Sequence, residues 1–580
     1  AGQDGSAALR LNHLSDDGPA QALQMLHLPT TVSAATLSYI VRIEPGQQPA
    51  GVMATFGAQI LTDSEVLFED AYQINGAVAW TPISTSLPAD AITKVQQAFD
   101  AGQQIYLRMV LVNGQGAYYT AFVDNLSLRV DGDMAYPSLT GSIGFISRQG
   151  QQPTVNRIQP DGSARQTLWT HPDTIAPDVY DVAWRPDAKE LAFVSDHEGA
   201  YSPFHSDIYA VDPVGNALRR ISNAPMQAGW PNGRQTGAIT GRIYNGYASF
   251  GLTFVVYVEG AQEVISVNMP EFGQDVAFNI PNVADNGPGA LQTIVFNWSR
   301  DNCANGKEFS VPVDVLPGQT VDVGTINFNG YCNQYNVSDL SWKGDGAAIG
   351  GVMLNGSRRF AVGGESIGQD LFTGTENFPQ DLSWSPINDQ ILSTRQTQAV
   401  NDGIFQGTAG GDAGSQISID NQSSQQNPAW LPNGSGFVFT YNNNVIGRYD
   451  VNSNQATALV AFFNESIDNL SVSPDGNYAV FERTNAQGTA DIWVVSLSKP
   501  NLMWPLTSDG VSRNPDWSRV EPSVAGQPTN TPTSTATSQP GATNTPTATA
   551  TSTSTPVPGA TSTPTSTPGA ERIYLPGVRR

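Results

Sequence analysis

Gly364, Glu365, Ser366, Ile367 and Gly368 match the GxSxG spacing of a hydrolase nucleophile elbow, in which a serine sits on a strained turn between a strand and a helix. The elbow needs an α/β sheet around it. Here the segment lies among runs with the period-two alternation of strands, and no helix-rich stretch large enough for a hydrolase domain occurs. Ser366 is therefore not read as a nucleophile. Five histidines are present, His13, His27, His171, His197 and His205. The last two flank one loop with Asp196, Glu198 and Asp207; those donors would have to converge to hold a metal, and otherwise the loop is a solvated connection. Cys303 and Cys332 have neither a CxxC partner nor a nearby His pair. In an exported chain they are expected to form a disulfide, worth roughly 3 to 4 kcal/mol by loop-closure arithmetic. Glycoside hydrolysis would need a carboxylate pair, and nothing singles one out from 52 Asp and Glu residues. No catalytic, cofactor-binding or metal-ligating residue is assigned on this reading.

The elements that must position any site announce themselves by repetition. Asp181, Val182, Ala183, Trp184, Arg185, Pro186 and Asp187 precede the alternating run Leu191 to Ser195. The block returns at Asp339 to Trp342, Asp381 to Pro386, Asn427 to Pro432, Asn469 to Gly476 and Asn514 to Ser518. The anchor positions Trp342, Trp384, Trp430, Val472 and Trp517 are separated by 42, 46, 42 and 45 residues. That period suits four-stranded propeller blades. Within a unit, Val182 and Trp184 alternate, a Pro-Asp turn follows, and Leu191 to Ser195, Ile208 to Asp212 and Leu218 to Ser222 supply three further strands.

The Trp-Arg-Pro-Asp block with Leu191 to Ser195 and then Ser206 to Tyr209 resembles the TolB-type, WD40-like repeat called PD40. Six anchors (184, 342, 384, 430, 472 and 517) imply six blades. The inner strand at Trp517 has no strands after it, while Ile143 to Ser147, Thr154 to Ile158 and Arg165 to Trp169 have no inner strand before them, so together they are expected to close the ring. The interval from Trp184 to Trp342 exceeds one blade by roughly 100 residues, which implies an insertion. Its opening run, Gly237 to Asn245, resembles the first strand of transthyretin-like or carboxypeptidase-regulatory-like β-sandwiches.

Residues 1 to 138 carry alternating strands separated by Gly and Pro clusters. Phe122 to Leu128, with Leu23 to Leu28, Pro29 and Ala35 to Val41, resembles the galactose-binding-like jelly rolls found in many carbohydrate-binding modules. The resemblance implies sugar stacking by Trp80, Tyr118 and Tyr119, against the alternative that these rings simply pack the strands. It also implies a structural calcium near Asp124, against a turn role for that residue. Gly5 to Asn12 reads as a strand within this domain, and a preceding strand is expected to be missing from a processed or fragmentary chain.

Composition fits an all-β exported protein: 56 Gly, 39 Pro, 14% charged residues and a net charge of −24. With 28 basic against 52 acidic residues, no basic stripe exists for nucleic acid, and no apolar run is long enough for a membrane-spanning helix. From 520 to 570 the chain is mostly Thr, Ser, Pro and Ala, an expected disordered stalk. Residues 571 to 580 resemble the C-terminal tails of secreted proteins from some filamentous bacteria, which implies a sorting or surface-attachment signal, against the alternative of a frayed end without function. The resulting expectation is an all-β chain with a jelly roll (1–138), a six-bladed propeller (141–235 and 336–519) and an inserted β-sandwich (236–335). Its expected role is non-catalytic recognition of an extracellular protein or glycan, without a cofactor. Two alternatives stay open: a glycan- or peptide-acting hydrolase using carboxylates at the channel mouth, and a structural envelope or sheath component.

Overall fold

A computed structural model describes residues 8–12, 19–46, 52–114, 118–172, 177–197, 206–222, 235–246, 253–258, 264–268, 271–285, 292–299, 309–328, 337–353, 356–363, 369–372, 379–397, 402–412, 414–419, 423–462, 465–523 and 571–574. His13, Glu198, His205, Cys303, Cys332, the Ser366 segment, residues 524–570 of the expected stalk and the end of the C-terminal motif lie outside them.

The repeat folds as the alternation dictates. Six four-stranded antiparallel sheets follow one another, with inner strands Val179–Trp184, Val337–Trp342, Pro379–Trp384, Gln425–Trp430, Ser466–Val472 and Ser512–Trp517. Each inner strand touches the next, and Ser512–Trp517 touches both Ser466–Val472 and Val179–Trp184, so the ring is closed. Closure uses both ends of the repeat: Ser512–Trp517 pairs with Ile143–Ser147, which continues through Thr154–Ile158 to Gln166–Thr170. The anchor indoles are buried where inner strands meet; Trp342 Nε1 donates to Ala183 O (3.0 Å) and Trp430 Nε1 to Ser383 O (3.1 Å). Fully burying such side chains is worth on the order of 2 to 3 kcal/mol each, and the Trp342 and Trp430 bonds tie neighbouring sheets together.

The insertion forms two sheets of its own. Thr236–Asn245 lies between Asp275–Ala284 (antiparallel) and Thr320–Phe328 (parallel), opposite a four-stranded sheet of Val264–Asn268, Thr253–Val258, Gln292–Ser299 and Phe309–Val313. Ile239, Ile243, Phe254, Phe278, Ile280 and Phe296 fill a separate core between them.

Residues before 132 form another two-sheet sandwich. One sheet orders Leu9–Asn12, Tyr119–Asp131, Ala34–Pro45 and Val78–Ser86; the other orders Ala20–Met25, Tyr106–Asn113, Ala54–Leu61 and Val66–Ile74. Glu571–Tyr574 adds antiparallel to Tyr119–Asp131 over Ser127–Val130. The helix Ala89–Asp100 departs from an all-strand expectation for this region. It starts behind Pro88 in extended geometry and buries Ala91, Val95, Ala98 and Phe99, a spacing of one helical face. It ends in a Schellman motif, with Gly102 at φ +70° and bonds from Gly102 N to Phe99 O and Gln103 N to Ala98 O.

The sandwich and the ring share one apolar core, in which Leu26, Ile105 and Phe99 of the former join Val480, Ile492 and Trp504 of the latter. Asn501, 1% exposed on the hairpin between Ala490–Ser496 and Met503–Pro505, pins this junction. Its Nδ2 donates to Leu26 O (2.6 Å) and Ile105 O (2.9 Å), and its Oδ1 accepts from Ile105 N (3.1 Å). Its carbonyl accepts from Leu28 N (2.9 Å). A buried side-chain amide thus completes the pairing of two strand ends that would otherwise leave polar groups dry.

Candidate functional site

In four of the six repeated blocks the first residue, Asp or Asn, accepts a backbone N–H of the next sheet. Asp181 Oδ2 accepts from Leu340 N (2.7 Å), Asp339 Oδ2 from Leu382 N (2.6 Å), Asp381 Oδ2 from Asn427 N (3.0 Å) and Asn427 Oδ1 from Asn469 N (3.3 Å). The third block residue does the same one step on: Ser341 Oγ accepts from Trp384 N (2.8 Å), Ser383 Oγ from Trp430 N (3.2 Å) and Ser471 Oγ from Trp517 N (3.0 Å). Asp516 seals the ring, taking Trp184 N (2.6 Å) on one oxygen and Ser471 Oγ (2.7 Å) on the other. At each block the pairing with the second strand shifts register, a bulge repeated in all six sheets. Asn427, Asn469 and Asn514 adopt φ of 52°, 52° and 51° there, a left-handed conformation that Asn tolerates well.

The bulge re-aims the residue immediately before the block, and that position varies: Tyr180, Ser338, Gln380, Gln426, Asp468 and Arg513. Four of the six, Ser338, Gln380, Asp468 and Arg513, line a cavity of about 500 Å³ at the channel mouth, together with Asp339, Asp381, Glu482 and Arg148. Nearly everything lining it is polar. Below, the channel narrows to about 140 Å³ among the indoles of Trp184, Trp342, Trp384, Trp430 and Trp517, with Arg519 beside Asp516.

The two mouth arginines are already engaged. Arg148 Nη2 lies 2.6 Å from Asp178 Oδ1, and Arg513 Nη1 lies 2.9 Å from Glu482 Oε1. Among the described residues, Asp339, Asp381 and Asp468 make no ion pair with a basic group, and each is repelled by acidic neighbours. Burial first, then Asp181 and Asp381, lift Asp339 well above the carboxylate range; burial chiefly lifts Asp381. Asp468 is pushed up to about 6 by its enclosed setting, then by Asp381 and Glu482. Its side chain nevertheless meets solvent through the mouth, so water screens part of that effect. The arrangement attracts a cation or donor-rich polar group, and Asp468 is suited to take or release a proton near neutrality. Among the described residues, no three His, Cys, Asp or Glu side chains gather as a metal-binding group.

The sequence-derived candidates fare unevenly. Tyr119 is 1% exposed and packs inside the first sandwich, so its ring is unavailable for stacking; strand alternation leaves Tyr118 40% exposed. Trp80 is half-buried beneath Arg42, whose Cζ lies 5.2 Å from the ring centroid. Asp124 is buried at a bulge, its Oδ1 accepting from Asn125 N (2.9 Å). His197 lies between Trp169 and Tyr209 (centroids 4.8 and 4.2 Å), with Nδ1 3.0 Å from Ser195 Oγ. Its ring meets that of His171 (centroids 5.9 Å); His171 is fully buried with Nε2 2.8 Å from Asp196 Oδ1, and Asp207 accepts from Ser222 Oγ (2.9 Å). Sequence reasoning did not single out the mouth residues, although their signal was available as a position of changing charge and polarity just before a repeated Asx.

No protein-family model matches the chain, and no curated protein matches it. Among solved structures, the chain is similar to a protein assigned as TolB in Agrobacterium tumefaciens, at 19% identity and TM-score 0.27 over 30% of this chain and 61% of that one. It thus spans under two thirds of that protein's length. It is also similar to TolB from Acinetobacter baumannii, at 14% identity and TM-score 0.27 over 83% of this chain and 82% of that one. A chain of a nidogen/laminin complex aligns at 9% identity and TM-score 0.36 over 65% of this chain and 98% of that one.

Proposed function

We propose that this chain is an extracellular, surface-attached binding protein without catalytic activity, in which the propeller mouth receives a cationic or donor-rich group of a protein or glycan partner. The observation that carries the reading is the 500 Å³ polar cavity, lined by side chains from four sheets at the position where the repeat varies. Three carboxylates there outnumber the cations free to neutralise them. In this reading residues 1–138 are a galactose-binding-like jelly roll, the Thr/Pro-rich stretch is a stalk and the last ten residues attach the protein to the cell surface. An array of lysine-bearing peptides and amino-sugar oligosaccharides tests it. Binding should weaken at least tenfold in Asp468→Asn and fall as pH drops below about 6, when Asp468 takes up its proton. Binding indifferent to both changes would place the ligand elsewhere.

A second reading is favoured by one feature, the elevated Asp468 beside Asp381 and Glu482, which is the makings of an acid–base pair. Incubating the same oligosaccharides and peptides with the protein and with Asp468→Asn separates the two: product formed only by the unmodified protein means a hydrolase.

A further inference from the structure

The structure assigns to the first sandwich a strand-acceptor edge, Ser127–Val130, whose occupant is this chain's own C-terminal segment Glu571–Tyr574. Ala34–Pro45 lines one side of the strand Tyr119–Asp131 along almost its whole length. The other side is shared end to end by two neighbours. Leu9–Asn12 pairs with Thr120–Val123 and Glu571–Tyr574 with Ser127–Val130, both antiparallel. Between them the strand bulges: Asn125 adopts φ of 51° and its N–H donates to Asp124 Oδ1 (2.9 Å). The bulge separates the stretch of edge that Leu9–Asn12 covers from a second stretch beyond it.

Without an occupant that second stretch would present a row of unpaired N–H and C=O groups beside Leu128 and Val130, which are 1% and 6% exposed. An extended edge of that kind templates pairing with other chains. The segment that fills it carries residue types that strands favour, Ile573 and Tyr574, and two residues on Pro576 offers no N–H with which to lengthen the ladder. Register sets Glu571 opposite Val130, Arg572 opposite Arg129, Ile573 opposite Leu128 and Tyr574 opposite Ser127. In an antiparallel pair every second opposed couple exchanges both backbone bonds, so the affinity of so short a strand resides in the main chain and is modest by itself.

Chain length makes the occupant this chain rather than a neighbour. Residues 524–570, 47 in all, separate the segment from the end of the ring. That end lies close to the edge: Glu521 Oε2 accepts from Gly141 N (3.1 Å), and Gly141 follows Val130 by eleven residues, which span at most about 40 Å. A flexible coil of 47 residues has an end-to-end distance of about 35 to 40 Å. Tether and gap match, the condition under which a tethered ligand reaches its highest effective concentration, on the order of millimolar. A free competitor, including the same segment of a second copy, must exceed that concentration or pair more strongly. Four of the ten residues proposed above to attach the protein are engaged here, so attachment through them requires the strand to leave the edge.

The test uses the full chain and the full chain carrying both Arg572→Pro and Ile573→Pro. Alternate residues of a strand turn their N–H to the same neighbour, so one of two adjacent prolines falls on a pairing position and vacates the edge. A fluorescent peptide of residues 569–580 is titrated with each chain and followed by anisotropy, beside a scrambled peptide of equal composition and charge. The double-proline chain should bind the peptide at least tenfold more tightly than the unmodified chain, whose own segment competes, and should show no such gain for the scrambled peptide. Hydrogen exchange supplies a readout free of any added ligand: the Ser127–Val130 amides that face the edge should exchange at least tenfold faster in the double-proline chain. Equal peptide affinity for the two chains, equal binding of native and scrambled peptides, no binding at millimolar peptide, or unchanged exchange at Ser127–Val130 would overturn the proposal. So would an unmodified chain that is dimeric in light scattering and becomes monomeric with the two prolines, which would give the edge to the segment of a second copy.

Discussion

Replacing Asn501 with Ala should disconnect the first sandwich from the propeller. The side chain makes three hydrogen bonds across the junction, but they do not count equally when lost. Ile105 O keeps a second donor, Leu26 N at 2.9 Å, whereas Leu26 O and Ile105 N lose the partner that Asn501 supplies. Two buried polar groups are orphaned, at about 1 to 3 kcal/mol each, so the junction should weaken by about 2 to 6 kcal/mol. The backbone bond from Leu28 N to Asn501 O survives, and the apolar contacts of Leu26, Phe99 and Trp504 remain. The expected result is therefore a module that opens from the propeller before the propeller itself unfolds. Urea denaturation followed by tryptophan fluorescence should show an early separate transition, and limited proteolysis should cut between residues 132 and 140. Asn501→Asp provides a control: ionised, it cannot donate to Leu26 O, but its protonated carboxyl, which burial favours, can, so part of the loss should be recovered as the pH is lowered. A single transition within about 0.5 kcal/mol of the unmodified chain would refute the account of the pin.

His27, buried at the same junction against Phe462 and Trp493, is held down to about 3 by burial and then by Arg483. Its folded value lies below the unfolded one, so its contribution is complete above about pH 6.5 and is lost as pH falls towards 3; about 2 kcal/mol should be gone by pH 5, and His27→Gln should flatten that slope in pH-dependent unfolding. Asp516→Ala should cost about 1 to 3 kcal/mol and lower the melting temperature, because it leaves Trp184 N unsatisfied at the ring closure. Unchanged melting would show that the first and last sheets are joined by strand pairing alone. Asp339, whose carboxyl is raised by burial and by its acidic neighbours, carries the opposite sign from His27: stability falls as pH rises from about 4 through its folded value. Asp339→Asn should remove that slope in the same unfolding series, and an unaltered slope would mean that Asp339 titrates as an exposed residue.

The repeated block was legible because its chemistry is local: alternation makes strands, and Pro with Asp or Gly makes the turns between them. The broken interval between Trp184 and Trp342 located the insertion by arithmetic alone. The helix Ala89–Asp100 was equally legible in principle, since Ala91, Val95, Ala98 and Phe99 share a face behind Pro88, but surrounding strand patterns concealed it. Tyr118 and Tyr119 show the limit of composition. They are adjacent and identical in type, and only strand parity decides that one is buried and the other open.

What the sequence by itself determined is the covalent period, the strands and turns it encodes, and the position at which the repeat ceases to repeat. Tertiary structure alone decided what the conserved Asp and Asn are for, because their partners are the backbone N–H groups of the next sheet, some 42 to 46 residues away in most of the ring and 159 across the insertion. It also decided that Asp339, Asp381 and Asp468 converge on one mouth, and that Glu571–Tyr574 lies along Ser127–Val130. Neither fact is carried by local preference: closure of a ring and pairing of distant strands set which residues meet, and those meetings fix the charges and strand edges a partner would encounter.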